Sequence, residues 1–232
     1  MDKAERTIAP ALKALGICAI IGAATTILNT MLPRFYGADG FDARMALIHN
    51  PFYAARQWVL LVHPAFILLL ALGMALALWA RAPGRALAGA TFAFVEKMTE
   101  FWMGVTILFV VNAVWKVNYL AALGTPAAEA WRLKITNFAE VLDGLYFLLW
   151  AMFLLSTGLL AWAAARIGRF GRWVAATAGL AMALTLLMML GEYGGQGAWT
   201  QPIIAWVYGP ALATHRLLVG LWLLDEARRA AR

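Results

Sequence analysis

Cysteine is almost missing from this chain. Cys18 is the only one, so no intrachain disulfide and no cysteine-based metal cluster can form. It falls in the first apolar run, where a buried structural thiol is the ordinary role. Charge is scarce as well: charged side chains make up 13% of 232 residues, against 63% hydrophobic ones. So little polar surface cannot clothe a water-soluble globule. The three histidines occur in no Glu-x-x-His or His-Glu-x-x-His spacing, and no Gly-x-Ser-x-Gly marks a nucleophile. Gly191, Gly194, Gly195 and Gly197 lack the strand-to-helix context of a nucleotide-binding loop and read as a flexible connector. No internal repeat is evident, so the inverted-repeat signature of many carriers is missing too.

Long apolar runs are what the chain does have. The expected fold is all-α, a polytopic transmembrane helix bundle forming one domain over 1–232, with about six spans near 14–32, 58–79, 87–115, 144–165, 173–190 and 202–224. Lys3, Arg6 and Lys13 imitate the start of a signal peptide. The run behind them is long enough to span, and Pro33-Arg34-Phe35 is no small-residue cleavage site, so a retained first helix is expected. Trp58 and Trp79 lie roughly 31 Å apart on a helix and mark two membrane surfaces. Asn50 suits a helix cap and Pro51 a first helical position. Pro64 and Pro210 should kink their spans. The remaining tryptophan and methionine content reads as packing and interfacial belt.

The net charge of +7 comes from 19 basic and 12 acidic residues. The basic ones sit between apolar runs and not along one face, which excludes nucleic acid as the expected partner and leaves the lipid bilayer. With the N-terminus inside, the inner side holds Lys3, Arg6, Lys13, Arg81, Arg85, Arg166, Arg169, Arg172, Arg228, Arg229 and Arg232. The outer side holds only Arg34, Arg44, Arg56, Lys116, Arg132 and Lys134. Basic residues favour the cytoplasmic side of short loops. Both termini are therefore expected in the cytoplasm, in a multi-pass protein of the cell inner membrane.

Glu96 and Glu100 share a helix face, with Lys97 beside them. If the third helix enters the bilayer straight after Arg85, these charges lie near its middle, where they would mark a pathway or a bound partner. Counting back from Trp115 and Lys116 as the outer surface instead puts Glu96 and Lys97 at the inner interface. The interfacial placement is favoured for those two, and Glu100 stays open between both. Arg216 could snorkel to the inner side or neutralise Glu100 across the bundle.

Glu140 and Asp143 also share a face, with Asn137 a turn earlier and Lys116 expected at a similar level. They read as a charge-compensated outer rim or as an outward acidic site for a cation or amine. His63 with Glu140 and Asp143 would be the only plausible zinc or di-metal set. A haem held by His63 and His215 is disfavoured by a depth mismatch near 12 Å at about 1.5 Å per residue, and no cofactor is expected. His49 falls in the first outer loop. There Asp42 should cap a short helix, and Phe35, Tyr36, Phe52 and Tyr53 suit a segment lying on the bilayer surface.

The short basic turns, the Phe170-Gly171-Arg172-Trp173 entry to the fifth span and the Gly220-Leu221-Trp222-Leu223 run resemble an uncharacterised bacterial domain-of-unknown-function family of small multi-span membrane proteins. The likeness covers the last two thirds of the chain by architecture and implies a fold type only. From the residues themselves, the leading expectation is a bundle that binds or transports a small molecule, ion or lipid. Its outward-facing cavity would be lined by His63, Glu100, Asn112, Glu140 and Asp143, with Lys97, Lys116 and Arg216 as charge partners. The rivals are a membrane enzyme with Glu140 as base and His63 as acid or ligand, and an accessory subunit of a membrane complex. A membrane-protein partner or a homo-oligomer is left open.

Overall fold

The computed structural model describes residues 3–195 and 203–231. Its helices are α1 (Lys3–Met31), α2 (Phe41–Ala46), α3 (Pro51–Leu78), α4 (Pro83–Val105), α5 (Val117–Ala121), α6 (Pro126–Ala164), α7 (Gly168–Tyr193) and α8 (Gly209–Ala230). A π-helical segment, Thr106–Lys116, joins α4 to α5 without a break, and a π-helical turn, Ile204–Tyr208, leads into α8. No strand occurs among the described residues. Six helical stretches are long and apolar enough to cross a bilayer: Ile8–Phe35, Pro51–Leu78, Pro83–Ala121, Pro126–Ala164, Gly168–Tyr193 and Trp206–Ala230. Helices satisfy their own backbone, which is what hydrocarbon demands. By that length and composition the chain is a multi-pass membrane protein.

The expected start of the sixth span at Pro202 lies outside the described residues, as does Gly197. The third and fourth spans are longer than their sequence patterns suggest, at 39 residues each, or about 58 Å of helix. They pack side by side in opposite directions, with Gly89 of α4 against Leu160 and Ser156 of α6. The far half of this hairpin therefore extends well past one hydrocarbon thickness of roughly 30 Å. A small cluster of Met45, Tyr119 and Ile135 ties it to α2.

Close approach of small residues sets the other contacts. α1 and α8 run antiparallel: a Cβ on Gly220 would lie 2.9 Å from the Gly16 carbonyl oxygen, and one on Gly209 would lie 2.3 Å from Thr30 Cγ2. Gly104 lets α4 slide against the Leu60–Leu61 backbone of α3, beside the turn that Pro64 deprives of a donor. α3 stays helical through Pro64. Small-residue contacts of this kind are the usual glue between helices in lipid. The main core, including Leu12, Leu78, Val174, Trp222 and Leu223, fills the end of the bundle that holds both chain termini.

Exposed tryptophans fall at two levels. Trp79, Trp162 and Trp173 lie near the terminal end, and Trp58, Trp102 and Trp206 toward the other. Arg85 covers the Trp162 ring at 3.9 Å and Arg34 the Trp206 ring at 3.8 Å. Indole rings with guanidinium partners suit the two headgroup regions. At the second level, Asn50 caps α3 as its type predicts, accepting from the amides of Phe52 at 2.9 Å and Tyr53 at 3.2 Å. Asp42 is a correction. It does not cap α2, whose N-cap is Gly40 at φ 84°; its carboxylate instead accepts from the Tyr119 hydroxyl.

Candidate functional site

On α4, Glu96, Lys97 and Glu100 fall between its start at Pro83 and the exposed Trp102, with Glu100 two residues before that ring. Glu96 and Lys97 are 6% and 4% exposed, thirteen and fourteen residues beyond Pro83, or roughly 20 Å along the helix. The interfacial placement expected for them therefore does not hold. Counting inward from Trp115 fails because α4 continues as a π-helix and carries Trp115 far beyond the Trp102 level. The apolar stretch before Glu96 packs inside the bundle, through Ala86 and Ala93.

Lys97 bridges both glutamates, its ammonium 2.5 Å from Glu96 Oε1 and 2.7 Å from Glu100 Oε2. Arg216 of α8 comes to the same level. Its Nη1 donates to Thr26 Oγ1 of α1 and to His63 Nε2 of α3, the latter at 3.1 Å. On the other edge of that ring, His63 Nδ1 lies 2.7 Å from Thr25 Oγ1. Proton accounting settles the tautomer. Thr25 already donates to the Gly22 carbonyl, so it accepts from His63 Nδ1–H, and Nε2 accepts from Arg216. His63 is then a neutral ring oriented from both sides. With it neutral, two carboxylates and two cations leave the cluster with no net charge.

These groups surround a cavity of about 190 Å³. Roughly 150 Å³ is enough to hold benzene in an engineered apolar cavity. One wall is polar, made by Thr26, Asn29, His63, Glu96, Glu100 and Arg216; the other is Tyr146, Leu149, Trp150, Phe153, Tyr208 and Leu212. The Tyr208 hydroxyl is engaged with Thr185 Oγ1 at 3.1 Å, so this residue offers the cavity mainly its ring. Asn29 and Thr30 also line a larger recess of about 570 Å³, into which Arg34, Arg44 and Arg56 project. A smaller space of about 40 Å³ lies on the opposite side of the charged layer, bounded by His215, Ser156 and the same Glu96, Lys97 and Arg216.

Of the residues expected to line one cavity, the structure brings together His63 and Glu100, with Lys97 and Arg216 as partners. Three do not join them. Asn112 lies in the π-helical segment, accepting from the Tyr53 hydroxyl at 3.0 Å, while Lys116 donates to that hydroxyl at 2.8 Å. Lys116 is thus turned into α3 and not toward Glu140. Glu140 and Asp143 are exposed on α6, because the first half of that helix projects beyond the tryptophan level. They share no cavity wall with His63, and no group of three metal-ligating side chains that includes them occurs among the described residues. The proposed His63–Glu140–Asp143 metal set is therefore not assembled.

Arg216 shares the cavity with Glu100, but no ion pair joins them directly among the described residues. His215 bonds Thr177 Oγ1 at 3.1 Å and faces the small space, so the two histidines line different cavities. Thr25, Thr26, Asn29 and Tyr208 were not among the sequence candidates. Thr25, Thr26, Asn29 and Thr30 interrupt the second half of the first apolar run, and that was the signal available. Compared with protein-family models, with curated proteins and with solved structures, the chain gives no match.

Proposed function

We propose that this membrane protein binds or moves a small molecule in a polar cavity facing the outer side, with both termini in the cytoplasm and the inner membrane as its location. The orientation rests on the excess of basic residues at the terminal end. It makes the arginine-lined recess the outer entrance.

The observation that carries the proposal is a benzene-sized cavity inside the bundle, bounded by His63, Glu96, Lys97, Glu100 and Arg216. Charges inside a membrane helix are expensive, and a bundle needing only packing would not retain an open space around them. Lys97 pairing with one oxygen of each glutamate favours one rival, an accessory subunit whose charges fix helix registry. The enzyme scheme with Glu140 as base gains no support, since Glu140 is exposed on α6 while His63 is buried within the bundle.

The test is thermal stability of the purified protein in lipid nanodiscs against small inorganic ions, organic acids, amines, zwitterions and short-chain lipids. A binding protein shows a saturable rise in melting temperature with at least one class, reduced when Arg216 is changed to Gln. No shift across the whole panel rejects the proposal in favour of the accessory role.

A further inference from the structure

The unsatisfied atoms around the cavity indicate what would fill it. Arg216 spends both N–H groups of Nη1 on Thr26 and His63. Among the described residues its Nε and Nη2 have no hydrogen-bond partner, and the side chain lines the cavity. Glu100 uses only Oε2 on Lys97, leaving Oε1 without a partner among the described residues, on a side chain 21% exposed. The cavity thus presents guanidinium donors from Arg216 at one place and a carboxylate acceptor, Glu100 Oε1, at another. An apolar wall of Leu149, Phe153 and Leu212 lies opposite.

Charge balance narrows the choice. The cluster is neutral when empty. An amine would have to pass Arg34, Arg44 and Arg56, in a recess with no acidic residue among its described lining, and would leave the cavity at +1. A lone carboxylate would pass easily but would leave it at −1, beside two glutamates. An uncompensated charge in this surrounding is heavily penalised. A molecule carrying both charges adds none.

Taking the small-molecule cavity as the starting point, we infer that its ligand is a small zwitterion with an aliphatic tail, of the α-amino-acid type. The carboxylate lies on the free edge of Arg216, in the fork geometry a guanidinium offers. The ammonium lies toward Glu100 Oε1, and the tail rests on the α6 and α8 wall. An eight-heavy-atom amino acid suits the volume.

Three matched probes test this on the full-length protein in nanodiscs by calorimetry: L-valine, 3-methylbutanoate, which lacks the ammonium, and 2-methylpropylamine, which lacks the carboxylate. Valine is expected to bind at least tenfold more tightly than either. Glu100→Gln should weaken valine at least tenfold and leave 3-methylbutanoate no weaker. Arg216→Lys, which keeps the charge but loses the fork, should weaken valine several-fold. Equal or tighter binding of either single-charge probe overturns the assignment, as does unchanged valine affinity in Glu100→Gln or no valine binding. The comparison on the unmodified chain decides the matter even if a variant fails to fold. Binding of any other probe while valine is silent removes the zwitterion and leaves the cavity proposal standing. Only silence across the wider panel removes both.

Discussion

Changing Lys97 to methionine isolates what the buried ion triad contributes. Methionine keeps much of the length and volume of the lysine stem, so little new space opens. The ammonium that sits 2.5 Å from Glu96 and 2.7 Å from Glu100 is lost. Two carboxylates then share the bundle interior with Arg216, which contacts neither directly. Removing one partner of a buried pair costs about 3–5 kcal/mol, a factor of roughly 10²–10⁴ in the unfolding equilibrium at about 1.4 kcal/mol per decade. Equilibrium unfolding in mixed micelles of rising SDS content, followed by tryptophan fluorescence, reads this range directly. The double variant Glu96→Gln, Lys97→Met returns the cluster to one carboxylate and one cation and should recover most of the loss. A loss under about 1 kcal/mol for Lys97→Met, or a double variant no more stable than the single one, would refute a desolvated, mutually compensated cluster.

Three further outcomes follow from the packing. Gly220→Val places a branched side chain where a Cβ would already meet the Gly16 carbonyl at 2.9 Å and Ile20 Cγ1 at 2.8 Å. Overpacking of this kind costs about 1–3 kcal/mol, which the same SDS titration measures. Asn50→Ala removes the acceptor for the Phe52 and Tyr53 amides and should cost about 1 kcal/mol, seen as faster amide exchange in the first turn of α3. The pair Glu140→Gln and Asp143→Asn should change stability by less than about 0.5 kcal/mol, as exposed substitutions do, and should leave ligand-dependent melting as in the parent. A loss of ligand response in that variant would restore these residues to the site.

The sequence made the helices legible because hydrocarbon imposes a simple pattern. Trp58 and Trp79 bracket their span, and Asn50 with Pro51 opens α3 as their chemistry dictates. The ionisable members of the cavity were legible too, since His63, Glu96, Lys97, Glu100 and Arg216 stand out in apolar surroundings. Their depth was not. A 39-residue helix has no unique crossing segment, and Trp115, which looks like a surface marker, lies thirteen residues beyond the exposed Trp102 on the same continuous helical stretch. The same length effect misplaced Glu140 and Asp143, whose neighbours in sequence are apolar but whose half of α6 projects outward. Thr25 and Thr26 gave little warning because a threonine in a membrane helix satisfies itself on its own backbone, here the Gly22 carbonyl. Only the arrival of His63 and Arg216 from other helices gives them a second partner, and that pairing is tertiary.

The three charges on α4 also bear on how the chain is made. A lone Glu or Lys at mid-bilayer costs roughly 2.5–3.5 kcal/mol on insertion scales. Because Lys97 reaches both glutamates from the same helix, α4 can leave the translocon carrying its own counterion, with one negative charge in excess. The cation that balances the excess is Arg216, synthesised more than a hundred residues later, about 5–20 s at roughly 5–20 residues per second. During that interval the half-made bundle holds a glutamate without the cation that completes its neutral cluster. A chain stopped at residue 195 should accordingly be cleared by membrane proteases faster than the same chain carrying Glu100→Gln, as a pulse-chase would show. Synthesis of the last helix therefore does more than complete the packing: it ends the period in which the nascent protein is electrically unbalanced.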